Sequence, residues 1–214
     1  MSILGIDEVG RGCLAGPVVA GAVLLPAVVD FERDPWLKEI KDSKLLKPEV
    51  RERLAPLITQ WALASAIGVA SVEEIDSINI FHASHLAMLR AAEETLAAVT
   101  QNTQFKPLSA EKIQATTYAL VDGKFLPKNF PCRAQAVIKG DLKCLSIAAA
   151  SIIAKVWRDR HMADLDAQYP GYGFSIHKGY STPAHSSALK ARGACPIHRR
   201  SFAPVAARIQ LDLF

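Results

Sequence analysis

Ser2 to Gly12 run an apolar strand straight into two carboxylates, Asp7 and Glu8, and then into an arginine flanked by glycines, Gly10-Arg11-Gly12. An anion at the end of a buried strand is unstable unless a cation neutralises it, and glycines let backbone amides and Arg11 approach a phosphodiester closely. The segment therefore asks for a fold whose sheet delivers Asp7 and Glu8 to a charged crevice. A strand ending in a solvated turn is the plainer alternative for these residues taken alone.

With 214 residues, 50% of them hydrophobic, the chain can bury one substantial core, and the expectation is a single domain over 1–214 whose last part, 170–214, is helical. The apolar stretch Leu14 to Val29 is broken by Gly16, Pro17, Gly21 and Pro26, which makes it strand and loop rather than a membrane span. The N-terminus does not resemble a signal peptide, and Cys13, Cys132, Cys144 and Cys195 form no C-x-x-C pair. These features point to a cytoplasmic monomer with reduced thiols and no membrane partner. Net charge is only +4, but basic residues gather between Lys139 and Arg200. A polyanion-facing side and ordinary solvated charges account for them equally well.

Apolar periodicity predicts strands over Ser2–Glu8, Pro17–Leu25, Trp61–Ala70, Tyr118–Asp122 and Arg133–Ile138. Helical spacing predicts helices over Pro48–Ile58, Ile80–Val99, Leu145–Gln168 and Pro183–Arg192, with a short one over Ser71–Asp76 that opens on a Ser71/Glu74 capping box. Gln101 to Thr116 is polar and non-periodic, and reads as an exposed loop without chemistry. The last segment, Val205 to Phe214, is apolar.

Asp7-Glu8, Asp122 and Asp141 each follow a predicted strand, where an α/β sheet delivers side chains to the crevice at its carboxyl ends. Neighbouring carboxylates raise one another's pKa, and hard divalent cations remove that penalty. The reading is therefore a site for Mn²⁺ or Mg²⁺; two such ions about 4 Å apart activate water and stabilise the departing 3′ oxygen of a phosphodiester. Adjacent strand residues point to opposite faces, so Glu8 joins Asp7 only if the strand is already ending there. A turn-forming Asp-Gly explains Asp122 as well, and a helix-start anion explains Asp141.

Seven segments together resemble bacterial type 2 ribonuclease H, the ribonuclease HII family: Asp7-Glu-Val-Gly-Arg-Gly12, Asp42-Ser-Lys44, Val121-Asp-Gly123, Lys139-Gly-Asp141, Ser146 to Lys155, His177-Lys-Gly-Tyr180 and His198-Arg-Arg-Ser-Phe202. The resemblance implies an α/β, ribonuclease H-like fold, with a mixed five-stranded sheet flanked by helices and a helical C-terminal subdomain. It implies an endonuclease that hydrolyses the RNA strand of RNA–DNA hybrids and incises duplex DNA 5′ of a single embedded ribonucleotide, leaving 3′-hydroxyl and 5′-phosphate ends, as in DNA replication and repair. It makes Asp7, Glu8, Asp122 and Asp141 the catalytic, metal-binding set. Gly10, Arg11 and Gly12 become readers of the ribonucleotide, whose 2′-hydroxyl separates RNA from DNA. Tyr180 becomes a platform for the following deoxyribose, and Lys44, Arg199 and Arg200 become phosphate contacts; each is otherwise an ordinary surface charge. The loop at 101–116 is longer than the family leads one to expect. Arg11, and the lack of an N-terminal extension, favour this family over the related ribonuclease HIII.

Gln210-Leu211-Asp212-Leu213-Phe214 resembles the pentapeptide by which bacterial repair proteins dock on the sliding clamp. Gln210, Leu211, Leu213 and Phe214 are then the anchors, while a last helical turn packed on the protein's own core is the alternative. Two rival functions remain. A junction resolvase or integrase shares the carboxylates but not Gly10-Arg11-Gly12 with Tyr180, and a non-catalytic hybrid- or clamp-binding module predicts binding without turnover.

Overall fold

In this computed structural model, which describes residues 2–26, 28–101 and 109–211, the sheet is built as the alternation predicts. Its strands are β1 (Ser2–Val9), β2 (Val18–Leu24), β3 (Ala64–Ala70), β4 (Thr117–Asp122) and β5 (Arg133–Val137), in the spatial order β3-β2-β1-β4-β5. Antiparallel pairing joins β1 to β2 and β2 to β3, and parallel pairing joins β1 to β4 and β4 to β5. The sheet is mixed, and the fold is the expected α/β, ribonuclease H-like one.

Side-chain alternation assigns the two faces. Leu4 and Ile6 of β1, Ala20 and Ala22 of β2, and Ala119 and Val121 of β4 pack under the long helix α2 (Val72–Gln101). The opposite face carries α4 (Leu145–Gln168), with α1 (Pro48–Trp61) packed on it through Leu54 and Ile58. Small residues let α4 lie directly on the sheet. A Cβ on Gly5 would stand 2.0 Å from the Ser146 carbonyl carbon, and one on Gly21 would stand 2.4 Å from the Ala150 oxygen. The alanine run at 148–150 supplies the matching flat face.

The C-terminal part is helical, with α5 (Phe174–His177), α6 (Pro183–Arg192) and α7 (Ala203–Leu211). Leu189 of α6 and Val205 of α7 bury against Leu14, which lies in the β1–β2 connection. Among the described residues no helix is long and apolar enough to cross a membrane.

Two expectations are corrected here, for Trp61 and for the 101–116 segment, and a third is met. Trp61 ends α1 instead of opening β3, because its ring packs edge-on against Trp36 at 5.7 Å. The two helices expected over 71–76 and 80–99 are both present within the α2 span, separated by a non-helical break at Asn79, where φ is 65° and the side chain accepts from the Phe81 and His82 amides to start the second; the Ser71/Glu74 capping box is present as read. Within Gln101–Thr116, α3 (Ala110–Thr116) forms behind a Ser109 cap and buries Ile113, a single apolar anchor too sparse to show periodicity. Residues 102–108 lie outside the described residues.

Replacing Gly5 by Ala forces α4 off the sheet, so urea unfolding should show a loss of about 3 kcal/mol. A loss under about 0.5 kcal/mol, as at an open site, would contradict the direct packing of α4 on β1.

Candidate active site

The β1–β4 ladder ends at Ile6 paired with Val121, so the next residues along it, Asp7 and Asp122, stand side by side past the last pair. Both lie on the α4 face. Glu8 lies on the α2 face, and β1 does not end there as the sequence reading required: it continues to Val9, with Glu8 opposite Ala20 of β2. Convergence takes place at the edge of β1 that faces β4, whose last residue is Asp122. Asp7, Glu8 and Asp122 each bring a carboxylate oxygen within 4.8 Å of the others.

Each carboxylate is held by its surroundings. Asp7 accepts from the Glu8 amide at 2.8 Å and from the Ser151 hydroxyl of α4, which in turn contacts the Ser43 hydroxyl at 2.8 Å. Asp122 accepts from the Gly140 amide at 2.7 Å, and Glu8 pairs with Arg11 Nη1 at 3.3 Å. Burial, then repulsion from Glu8 and Asp122, pushes the Asp7 carboxyl well above the usual range. Burial also raises Glu8, against the pull of Arg11. An all-oxygen, mutually repelling donor set of this kind suits a hard divalent cation.

Asp141 stands outside that group. It sits in a 3₁₀ turn at Gly140–Leu142 and faces the Lys44 ammonium at 4.0 Å. Burial raises its pKa, and Asp42 and Asp122 add to the rise. Burial alone would lower Lys44, but Asp7, Asp42, Asp141 and Glu8 outweigh it and hold the ammonium up.

Gly10, Arg11, Gly12, Lys44, Lys155 and Tyr180 line one cleft of about 180 Å³ with Glu8 and Ser151. A Cβ on Gly12 would meet no protein atom within 4 Å, so this face of the loop is open to a ligand. Tyr180 is half-exposed, with Lys155 Nζ 5.7 Å from its ring centroid.

Arg199 is not on the surface, where a phosphate contact needs it. It is fully buried, and its guanidinium donates to the carbonyls of Gly10, Arg11 and Gly16 at 2.7–2.9 Å. Burial pushes it down to about 10, still protonated at neutral pH. The fork therefore ties the loop in place. Arg200 is exposed, while its backbone amide donates to Asp76 of α2 at 2.9 Å. Gln210 is exposed on α7; the tail positions Leu213 and Phe214 lie outside the described residues, and Leu211 is placed by its backbone alone.

Sequence reasoning missed the supports. Arg158 of α4, also fully buried, donates to the carbonyls of Ala15, Pro17 and Lys178. The Tyr180 carbonyl accepts from His185 Nδ1 at 2.9 Å, His185 Nε2 meets His198 Nε2 at 3.1 Å, and His198 Nδ1 accepts from the Cys195 amide at 3.0 Å. This pattern fixes His198 as the neutral Nε2–H tautomer. The two histidines are 13 residues apart and lack metal-ligand spacing, so no local pattern announces them. Their motifs, His177-Lys-Gly-Tyr180 and His198-Arg-Arg, were the available signal.

Known proteins resemble this chain along nearly its whole length. A family model described as Ribonuclease HII matches residues 4–205. A ribonuclease HII of Hyphomonas neptunium is 48% identical over 209 residues, covering 97% of this chain and 96% of that protein. Among solved structures, ribonuclease H2 from Pyrococcus horikoshii OT3 superposes with a TM-score of 0.68 at 28% identity, covering 99% of this chain and 98% of that one. The PCNA:RNase HII complex from Archaeoglobus fulgidus gives a TM-score of 0.65 at 28% identity, over 93% of this chain and 94% of that one.

Burial, with His185 and His177 nearby, holds the His198 imidazole down at about 4, against 6.5 when exposed. Aromatic Tyr172 and Phe174 and the Cys195 thiol complete its surroundings. The unfolded chain binds the proton first, so this contribution to stability is complete above about pH 6.5 and is lost as pH falls towards 4. Between pH 7.5 and 5 the wild-type protein should lose about 2 kcal/mol more than His198→Gln in urea unfolding. Parallel pH curves would contradict the neutral relay.

Proposed function

The chain belongs to the ribonuclease HII family, whose members are ribonuclease H hydrolases acting on RNA–DNA hybrids, and from that premise we propose that it is a divalent-metal-dependent endonuclease that also incises duplex DNA 5′ of a single embedded ribonucleotide. The observation that carries this reading is the meeting of Asp7, Glu8 and Asp122 beside a cleft walled by Gly10-Arg11-Gly12 and Tyr180. A metal-ion site and a device for recognising one ribose thus share a single crevice.

Asp7, Glu8 and Asp122 would hold Mn²⁺ or Mg²⁺, with Asp141 as the fourth carboxylate facing them from the Lys44 side. Bound divalent ions supply Lewis-acid stabilisation of charge on the phosphate and a lower pKa for the attacking water. The chain's own residues position the substrate. The Gly10–Gly12 backbone meets the 2′-hydroxyl through amides and carbonyls, which match its double role as donor and acceptor. Arg11, paired with Glu8, keeps a guanidinium beside the scissile phosphate. Lys44 and Arg200, both exposed, supply charge for flanking phosphates, and Tyr180 offers its ring to the deoxyribose after the ribonucleotide. Arg199 acts as a positioning residue, through its hold on the loop. The products are 3′-hydroxyl and 5′-phosphate ends.

The C-terminal Gln210-Leu211-Asp212-Leu213-Phe214 would tether the enzyme to a sliding clamp, raising its effective concentration at newly made DNA. That an archaeal relative has been solved with PCNA supports this part of the reading. Deleting residues 210–214 should abolish retention on immobilised clamp while incision of free duplex continues, and unchanged retention would exclude the tether.

A labelled duplex carrying one ribonucleotide tests the central reading. Incision on its 5′ side with Mn²⁺ or Mg²⁺, none with a chelator, and a loss of roughly 10²-fold or more for Asp7→Asn are expected. Cutting confined to branched DNA would favour a resolvase instead.

A further inference from the structure

Beyond Asp122 the chain turns at Gly123, where φ is 110°, and lays Lys124-Phe125-Leu126 opposite the restart of α2 after Asn79. Phe125 is 62% exposed, although its ring meets Phe81 edge-on at 5.9 Å. Phe81 lies against His85 at 4.3 Å. Together these rings form an aromatic wall whose outermost ring, Phe125, is open to solvent among the described residues.

The wall is continuous with the active site. A cleft of about 300 Å³ has Glu8, Arg11 and Asp122 at one end and Phe81, His85 and Phe125 at the other. It opens into a groove of about 480 Å³ floored by Leu86 and Leu89 and rimmed by Lys128. Glu8 and Arg11 also border the cleft that holds Tyr180. One trough therefore runs from Tyr180, past the carboxylates, to Phe125.

The occupant follows from charge and direction. Lys124, Lys128 and Arg11 surround the exposed Phe125 ring and the half-buried Phe81, a combination that suits a polyanion with apolar sugars rather than an apolar peptide. On the reading given above, on which this inference rests, Tyr180 marks the deoxynucleotide 3′ of the ribose and the carboxylates mark the phosphate 5′ of it. Continuing in the same direction leads upstream on the cut strand. We infer that the Phe81–Phe125 groove is a substrate subsite that takes the nucleotides of the incised strand 5′ of the scissile phosphate, by packing their deoxyribose rings against Phe125.

Two single-ribonucleotide duplexes test this, one with ten nucleotides upstream of the ribose on the incised strand and one with a single nucleotide, both on a full-length complement. Burying about 50 Å² of apolar sugar and ring surface is worth about tenfold in binding, so wild-type KM should rise about tenfold on the trimmed duplex. Phe125→Ala should give that raised KM on the long duplex too, losing the length dependence, and Phe125→Tyr should restore it. Length dependence retained by Phe125→Ala, or absent from the wild type, would overturn the subsite while leaving the proposed function intact. No incision of either duplex by the wild-type protein would overturn the proposed function and the subsite together.

Discussion

Two buried guanidinium groups grip the connection between β1 and β2. Arg199 takes the carbonyls of Gly10, Arg11 and Gly16, and Arg158 takes those of Ala15, Pro17 and Lys178. A fully buried cation is unstable unless its donors are satisfied, and a loop folded into the interior leaves carbonyls that need donors. Each removes the other's penalty. The connection is consequently a fixed part of the core, with Leu14 and Gly16 further bonded through their amides to the carbonyls of Gly179 and Ile197. Gly10 tolerates no side chain here, since its Cβ would lie 2.3 Å from Arg158 Nε. Three distant stretches of chain, at 10–17, 177–180 and 195–199, thus become one rigid body that joins the carboxylates of β1 to Tyr180.

The approach of α4 to the sheet sets the other side of the site. Gly5 and Gly21 bring the helix backbone down far enough for Ser151 to reach Asp7, and Arg158 sits on the same helix two turns on. The same close packing withdraws Asp7 from water and raises its proton affinity, so the carboxylate is poorly stabilised by the protein alone. A hard cation relieves that strain, and rigid surroundings keep the oxygens ready for it. Local instability at the carboxylates is therefore held by stability elsewhere in the fold.

The five strands, α4 and α6 were legible because their periodicity is long and their breakers are strong, and Leu145–Gln168 and Pro183–Arg192 agree to the residue. The meeting of Asp7, Glu8 and Asp122 was legible because each carboxylate follows an apolar run that reads as a strand of one sheet. The role of Arg199 was not, because a charged side chain beside another arginine looks like surface, and burial depends on carbonyls about 185 residues away in the chain. The His185–His198 pair, only 13 residues apart, escaped because that spacing fits no helical or strand period. The aromatic groove is also non-local, since Phe81 and Phe125 meet only when β4 lies beside α2.

The central claim is that the 10–17 connection is as ordered as the sheet before any substrate arrives. Amide hydrogen exchange of the unliganded protein tests it most directly. The Leu14 and Gly16 amides should exchange as slowly as those of β1, through global unfolding. Exchange within seconds, as in a solvated loop, would show that the guanidinium bonds do not hold the recognition segment and would contradict the account.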